Sequence, residues 1–144
     1  MPASRPPLAR SVLAIVAGYL VSATLVLVGF TVLGRIAPVA MSVAGLAAAP
    51  RPGMVLGILL MDAIIAIVGG YVTALIARRA PIGHAFALGA LMLVLGIVMS
   101  WTSPEREPTW YAIWMPILVL PAAVIGGMIR SRQTHGAPRT RVWS

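Results

Sequence analysis

The sequence predicts an all-α integral membrane protein, a bundle of four transmembrane helices in antiparallel up-down order. Of its 144 residues, 60% are apolar and only 10% are charged, whereas ordinary soluble domains carry about 25% charged residues. The mean hydropathy is +0.97. Three acidic residues and eleven basic ones cannot supply the charged surface that a soluble fold of this size needs. The bilayer is therefore the expected solvent.

Four apolar runs have about the 20 residues that an α-helix needs to cross roughly 30 Å of hydrocarbon. They cover residues 11–34, 54–77, 84–101 and 110–129. We expect a transmembrane domain over residues 11–129, a cytoplasmic tail over residues 1–10 and a disordered cytoplasmic tail over residues 130–144. The first run continues unbroken through Leu33, which favours a retained span over a cleaved signal peptide.

The arginines predict an orientation with both termini in the cytoplasm. If the polar segments alternate sides, eight arginines lie on one side and three on the other, and loops rich in Arg stay cytoplasmic. The eight are Arg5, Arg10, Arg78, Arg79, Arg130, Arg132, Arg139 and Arg141, and the three are Arg35, Arg51 and Arg106. The pattern follows topology, not one basic face, so we expect membrane lipid and no nucleic acid as a partner.

Two outer segments carry further signals. Trp101, Trp110, Tyr111 and Trp114 flank the loop with Glu105 and Glu107, and amphipathic rings prefer the headgroup level. We expect an aromatic belt there in preference to a ligand site. The loop over residues 35–53 is apolar but interrupted by prolines. An interfacial helix is favoured there over a re-entrant loop.

Small residues at spacings of four predict close helix packing. The stretches 14–22 and 66–74 resemble each other, which suggests a duplicated hairpin. Such stripes lie on one helix face and allow backbones to approach in lipid. We expect the first stripe to contact the second. The first consists of Ala14, Gly18 and Ser22, the second of Ala66, Gly70 and Ala74, and Gly126 and Gly127 offer a similar face on the fourth span.

Asp62 is the ionisable residue that lies well inside a span, on the same stripe as Ala66. A carboxylate at this depth costs at least a few kcal/mol if it is ionised, so we expect a neutral or hydrogen-bonded group that faces the bundle interior. Aligning Tyr19 with Tyr71 puts Asp62 between Thr24 and Thr31. Asp62 with these threonines is therefore interpreted as a polar clasp, or alternatively as a proton site.

The sequence offers no catalytic, metal-binding or cofactor-binding set, so we expect no enzyme and no cofactor. Cysteine is absent, and the two histidines, His84 and His135, lie far apart. With its short loops, the Gly-Gly-Tyr segment 69–71 followed by Arg78-Arg79, and an Arg-rich tail, the chain resembles small uncharacterised four-helix inner-membrane proteins of bacteria. The resemblance implies a multi-pass protein of the bacterial inner (cytoplasmic) membrane and carries no functional residue.

Two functions remain as hypotheses. The first is a non-catalytic membrane component, either an accessory subunit of a larger membrane complex or a self-associating protein, because the recognisable features are packing faces and membrane anchors. Its partners would be other transmembrane helices. The second is a small oligomeric proton-coupled transporter or channel that uses Asp62.

Overall fold

The computed structural model of the chain describes residues 7–38, 52–77, 80–102 and 109–135. These segments form four helices: α1 (Pro7–Ile36), α2 (Pro52–Ala77), α3 (Pro81–Thr102) and α4 (Thr109–His135). Each of the four is long and apolar enough to cross a membrane. The predicted all-helical class with four candidate membrane spans is therefore confirmed for the described part of the chain.

Proline marks the first residue of three helices, namely Pro7 of α1, Pro52 of α2 and Pro81 of α3. Proline suits this position because its fixed φ matches the helix and its missing N–H would have no partner there. At the other end of α1, the Ala37 N–H donates to the Leu33 carbonyl over 2.8 Å. Pro38 follows and cannot extend the helix.

The helices are longer than the apolar runs that predicted them. The largest difference is in α4, which continues through Arg130 to His135, so the first residues of the predicted disordered tail are helical. Thr134 lies in this extension and its hydroxyl donates to the Ser131 carbonyl over 2.8 Å. Backbone hydrogen bonding does not stop where the apolar composition stops, which explains the extra turns.

Several predictions concern segments outside the described residues. These are the tails over 1–6 and 136–144, Arg78 and Arg79, the outer glutamates Glu105 and Glu107 with Arg106, and residues 39–51 of the long loop. The choice between an interfacial helix and a re-entrant loop falls in that last segment. Of α4's first residues, Trp110 and Tyr111 are described in their backbone alone.

Helix α2 is the centre of the bundle. It contacts α1, α3 and α4, with its most extensive contact to α4. Helix α1 packs on α2 and, over a shorter stretch, on α3, and among the described residues it makes no contact with α4. The core lies between α2 and α4, where Ala66 packs with Val119 and Ala122. Helix α4 remains helical across Pro116 and Pro121.

Candidate functional site

The α1–α2 seam is formed by Gly18 and Ser22 of α1 with Gly69 and Thr73 of α2. A Cβ added at Gly18 would overlap the Thr73 hydroxyl oxygen and lie 2.8 Å from the Gly69 carbonyl oxygen. A Cβ added at Gly69 would overlap the Ser22 hydroxyl oxygen and lie 3.3 Å from the Gly18 carbonyl oxygen. The two backbones therefore touch, and only glycine fits at both positions.

The α2–α4 seam is also formed by glycines, but these face backbone carbonyl oxygens instead of side-chain hydroxyls. A Cβ at Gly70 would overlap the Ala123 carbonyl oxygen, and a Cβ at Gly126 would overlap the Ile67 carbonyl oxygen. The same Gly126 Cβ would lie 2.7 Å from the Tyr71 backbone nitrogen. Here backbone faces backbone with no side chain between, so α2 is held closely on two different faces.

Helices α3 and α4 also approach closely, through Gly89 and Gly127. A Cβ at Gly89 would lie 3.2 Å from both the Ala123 Cβ and the Leu120 Cα, and one at Gly127 would lie 3.3 Å from the Pro81 carbonyl oxygen. Gly127 thus faces α3, whereas its neighbour Gly126 faces α2.

The prediction that the second small-residue stripe, on α2, contacts α1 is wrong. Gly70 faces Ala123 of α4 and not α1, and Ala66 packs against Val119 and Ala122 of α4. On α2 it is Gly69, one residue earlier, that meets α1. Successive residues of a helix point about 100° apart, so a shift of one residue exchanges one neighbouring helix for another.

On α1 the predicted residues do lie in the interior. Gly18 and Ser22 are in the α1–α2 seam, and Ala14, one turn earlier, is fully buried. Ala74 of α2 is buried as well. The register also agrees with the sequence, because the alignment of Tyr19 with Tyr71 places Gly29 opposite Met61. A Cβ at Gly29 would lie 2.7 Å from the Met61 sulfur.

Asp62 is buried in the middle of α2, with 7% of its surface exposed. The two threonines predicted to clasp it lie on the exposed surface of α1. Thr24 and Thr31 are both exposed, and their hydroxyls donate to the carbonyls of Leu20 over 2.8 Å and Leu27 over 2.6 Å. A helical threonine commonly bonds the carbonyl four residues earlier. These hydroxyl protons are therefore used within α1.

Thr73 was not selected from the sequence, and Gly69, expected only as a helix-contact glycine, was not assigned to the contact with α1. Gly69 and Thr73 lie on the same side of α2 as Asp62, because they follow it by seven and eleven residues, which come close to two and three whole helical turns. Starting the stripe at Asp62 and following Gly69 and Thr73 would have found the α1–α2 seam.

Comparison with protein-family models, with curated proteins and with solved structures gave no match.

Polar contacts tie the helices together at the end of the bundle where α1 begins and α4 ends. The Arg10 Nε donates to the Ile76 carbonyl over 3.2 Å. A cation of α1 thus gives a hydrogen-bond partner to a carbonyl in the last turn of α2, where the helix dipole is negative. The Tyr71 hydroxyl donates to the Gln133 side-chain oxygen over 2.9 Å. These bonds link α2 to α1 on one side and to α4 on the other.

The two tryptophans whose side chains are described lie at the opposite end. Trp101 near the end of α3 is 82% exposed, and Trp114 in the second turn of α4 is 54% exposed. Side chains so placed reach out of the bundle, so they can meet lipid headgroups. They do not converge on a pocket with the buried polar residues Ser22, Thr73 and Asp62.

Small residues in the three seams allow the helices to pack closely, as they do in membrane proteins. Without a hydrophobic driving force between helices in lipid, association depends on close van der Waals packing and on hydrogen bonds across the interface. Among the described residues, no three His, Asp or Glu side chains gather into a possible metal site. The arrangement holds helices at defined positions.

Proposed function

We propose that the chain is a non-catalytic integral membrane component of the bacterial inner membrane, an accessory subunit of a larger complex or a self-associating protein. The observation that carries the proposal is the division of α1 into two faces. One face is used in the α1–α2 seam, where glycines allow the backbones to touch. The other face is exposed, and no part of α1 contacts α4 in the described part of the chain.

That second face is a continuous exposed stripe, here called the outer stripe of α1. Its residues follow one another at intervals of three or four and are all exposed, as on one face of a helix. They are Leu13, Val16, Leu20, Thr24, Leu27 and Thr31. A helix of another subunit would find apolar side chains there and two small threonines, the residue types common at membrane helix interfaces.

The proposed orientation has both termini in the cytoplasm. It is supported by Arg10, Arg130 and Arg132, which lie at the end of the bundle where the described chain begins and ends, whereas Arg35 lies at the other end. Anionic lipid headgroups would attract the first group. Trp101 and Trp114 would then belong to an aromatic belt at the outer surface.

The size of the particle in mild detergent tests the association. We expect protein purified from its native membrane to have a mass above the 15.1 kDa of one chain, measured by light scattering with the detergent subtracted. Thr24→Trp in the outer stripe should reduce that mass, because a large ring replaces a small contact. Phe86→Trp, on the exposed side of α3, is the matched control and should not. A lone chain in every sample would contradict the proposal.

The second candidate is the proton-coupled transporter or channel, favoured by one observation, the burial of Asp62 in mid-span. Proteoliposomes with a pH-sensitive dye separate it from a packing role. If Asp62 packs helices, wild type carries no proton flux, Asp62→Asn keeps the fold, and Asp62→Leu lowers stability by about 0.6 to 2 kcal/mol. A flux in wild type that disappears in a folded Asp62→Asn variant would establish the transporter instead.

A further inference from the structure

Two buried hydroxyls in the α1–α2 seam call for a physical explanation. The oxygens of Ser22 and Thr73 are buried and have no conventional hydrogen-bond partner among the described residues, and both side chains are fully enclosed. Buried polar groups are nearly always hydrogen-bonded, because an unpaired one loses its water without compensation. A serine or threonine in a helix usually bonds its own backbone, as Thr24 and Thr31 do.

Each of these oxygens lies opposite a glycine of the facing helix. In glycine, a second α-hydrogen takes the direction that Cβ has in other residues. That direction leads from Gly18 onto the Thr73 oxygen and from Gly69 onto the Ser22 oxygen. Contacts of the type Cα–H···O, with carbon–oxygen separations of about 3.3–3.6 Å, recur at helix–helix interfaces.

We propose that Gly18 and Gly69 donate reciprocal Cα–H···O hydrogen bonds to Thr73 and Ser22, and that this pair sets the register of α1 on α2. Each helix gives one donor and one acceptor, and both buried hydroxyls gain a partner. Ser22 and Thr73 are then positioning residues. Sliding α1 by one residue along α2 would turn both oxygens away from the glycine hydrogens, which makes the pair specific for one register.

The α2–α4 seam provides an internal reference. Gly70 and Gly126 are aimed in the same way at oxygens, but these belong to the backbone carbonyls of Ala123 and Ile67. A side-chain substitution cannot remove a carbonyl acceptor. Substitutions at Ser22 or Thr73 should therefore affect the glycines of the α1–α2 seam and leave those of the α2–α4 seam unchanged.

The test is the NMR chemical shift of the glycine α-hydrogens in detergent micelles. Thr73→Val keeps the branched shape and removes the oxygen, so the Gly18 α-hydrogen should move upfield while those of Gly70 and Gly126 stay in place. Ser22→Ala should do the same to Gly69. Thr102→Val is the matched control, because the Thr102 hydroxyl is exposed and donates to carbonyls of its own helix α3. It should move none of the four.

Stability gives a second readout with opposite signs for the two explanations. If Thr73 accepts a Cα–H bond, Thr73→Val lowers the ratio of folded to unfolded protein about two- to fivefold. If its hydroxyl has no partner, the same change removes a buried polar group and raises that ratio. An unmoved Gly18 signal or a raised ratio would overturn the proposal.

If Thr73→Val does not fold, Thr73→Ser decides, because serine keeps the oxygen without the methyl group. A folded Thr73→Ser protein with the Gly18 signal at its wild-type position supports the proposal. A displaced Gly18 signal, with those of Gly70 and Gly126 unchanged, contradicts it.

Discussion

At the scale of single residues, the glycines of α2 differ in what faces their α-carbon. A Cβ at Gly57 would meet no atom within 4 Å, whereas one at Gly70 would overlap the Ala123 carbonyl oxygen and lie 2.8 Å from its carbonyl carbon. Atoms of a backbone cannot turn aside as a flexible side chain can. Glycine is therefore needed for close packing at position 70, whereas at position 57 no neighbouring atom requires it.

This difference predicts opposite effects for one chemical change. Gly70→Ala should destabilise the protein by about 1–3 kcal/mol, the usual cost of overpacking, because α2 and α4 must move apart. Gly57→Ala, in the same helix, should be neutral or stabilising by up to about 1 kcal/mol, since alanine loses less backbone entropy in a helix. Unfolding in mixed micelles measures both. Equal effects of the two substitutions would contradict the assigned contacts.

At the scale of helices, α2 organises the bundle because it carries two adjacent packing faces. Gly69 serves the contact with α1, and Gly70 serves the contact with α4. Each face is bounded by polar contacts at the same end, Arg10 with the Ile76 carbonyl and Tyr71 with Gln133. Helix α1 depends mostly on the first face, because its contact with α3 is short.

Cysteine cross-linking distinguishes the two faces, and the natural chain contributes no cysteine of its own. The Ser22 oxygen occupies the place of a Cβ at Gly69, so Ser22→Cys with Gly69→Cys brings the two Cβ atoms, after a small separation of α1 and α2, to the short end of the roughly 3.5–4.5 Å that a disulfide spans. We expect rapid cross-linking under a mild oxidant. Ser22→Cys with Gly70→Cys is the control and should remain reduced. Preferential cross-linking of the control pair would show instead that Gly70 faces α1, as the sequence predicted.

The sequence predicts the number of helices because a span in lipid needs a long apolar run, and it predicts the α1–α2 register through Tyr19 and Tyr71. It does not decide which of two neighbouring small residues meets which helix. That choice depends on where α4 packs, and Gly69 and Gly70 are equally suited to close approach. For the same reason Thr24 and Thr31 could not be placed, because their hydroxyls can bond their own backbone as readily as another helix.

At the scale of the whole molecule, three of the four arginines in the described segments lie at one end, and the two tryptophans with described side chains lie at the other. Arg10, Arg130 and Arg132 lie where α1 begins and α4 ends, and Trp101 and Trp114 lie at the other end. A bundle polarised in this way has one preferred orientation in a membrane, because arginine-rich segments resist translocation. The proposed account of the protein as an inner-membrane component depends on this orientation and on all four helices spanning.

Reporter fusions at two sites test the orientation and the crossing of α4 most directly. A reporter active only in the cytoplasm is fused after Ser144, and one active only outside it is inserted between Glu105 and Glu107. With four spans and both termini inside, we expect both reporters to be active, and both to be inactive when they are exchanged. Activity of the outside reporter at Ser144, or of the same reporter at both sites, would contradict the four-span account.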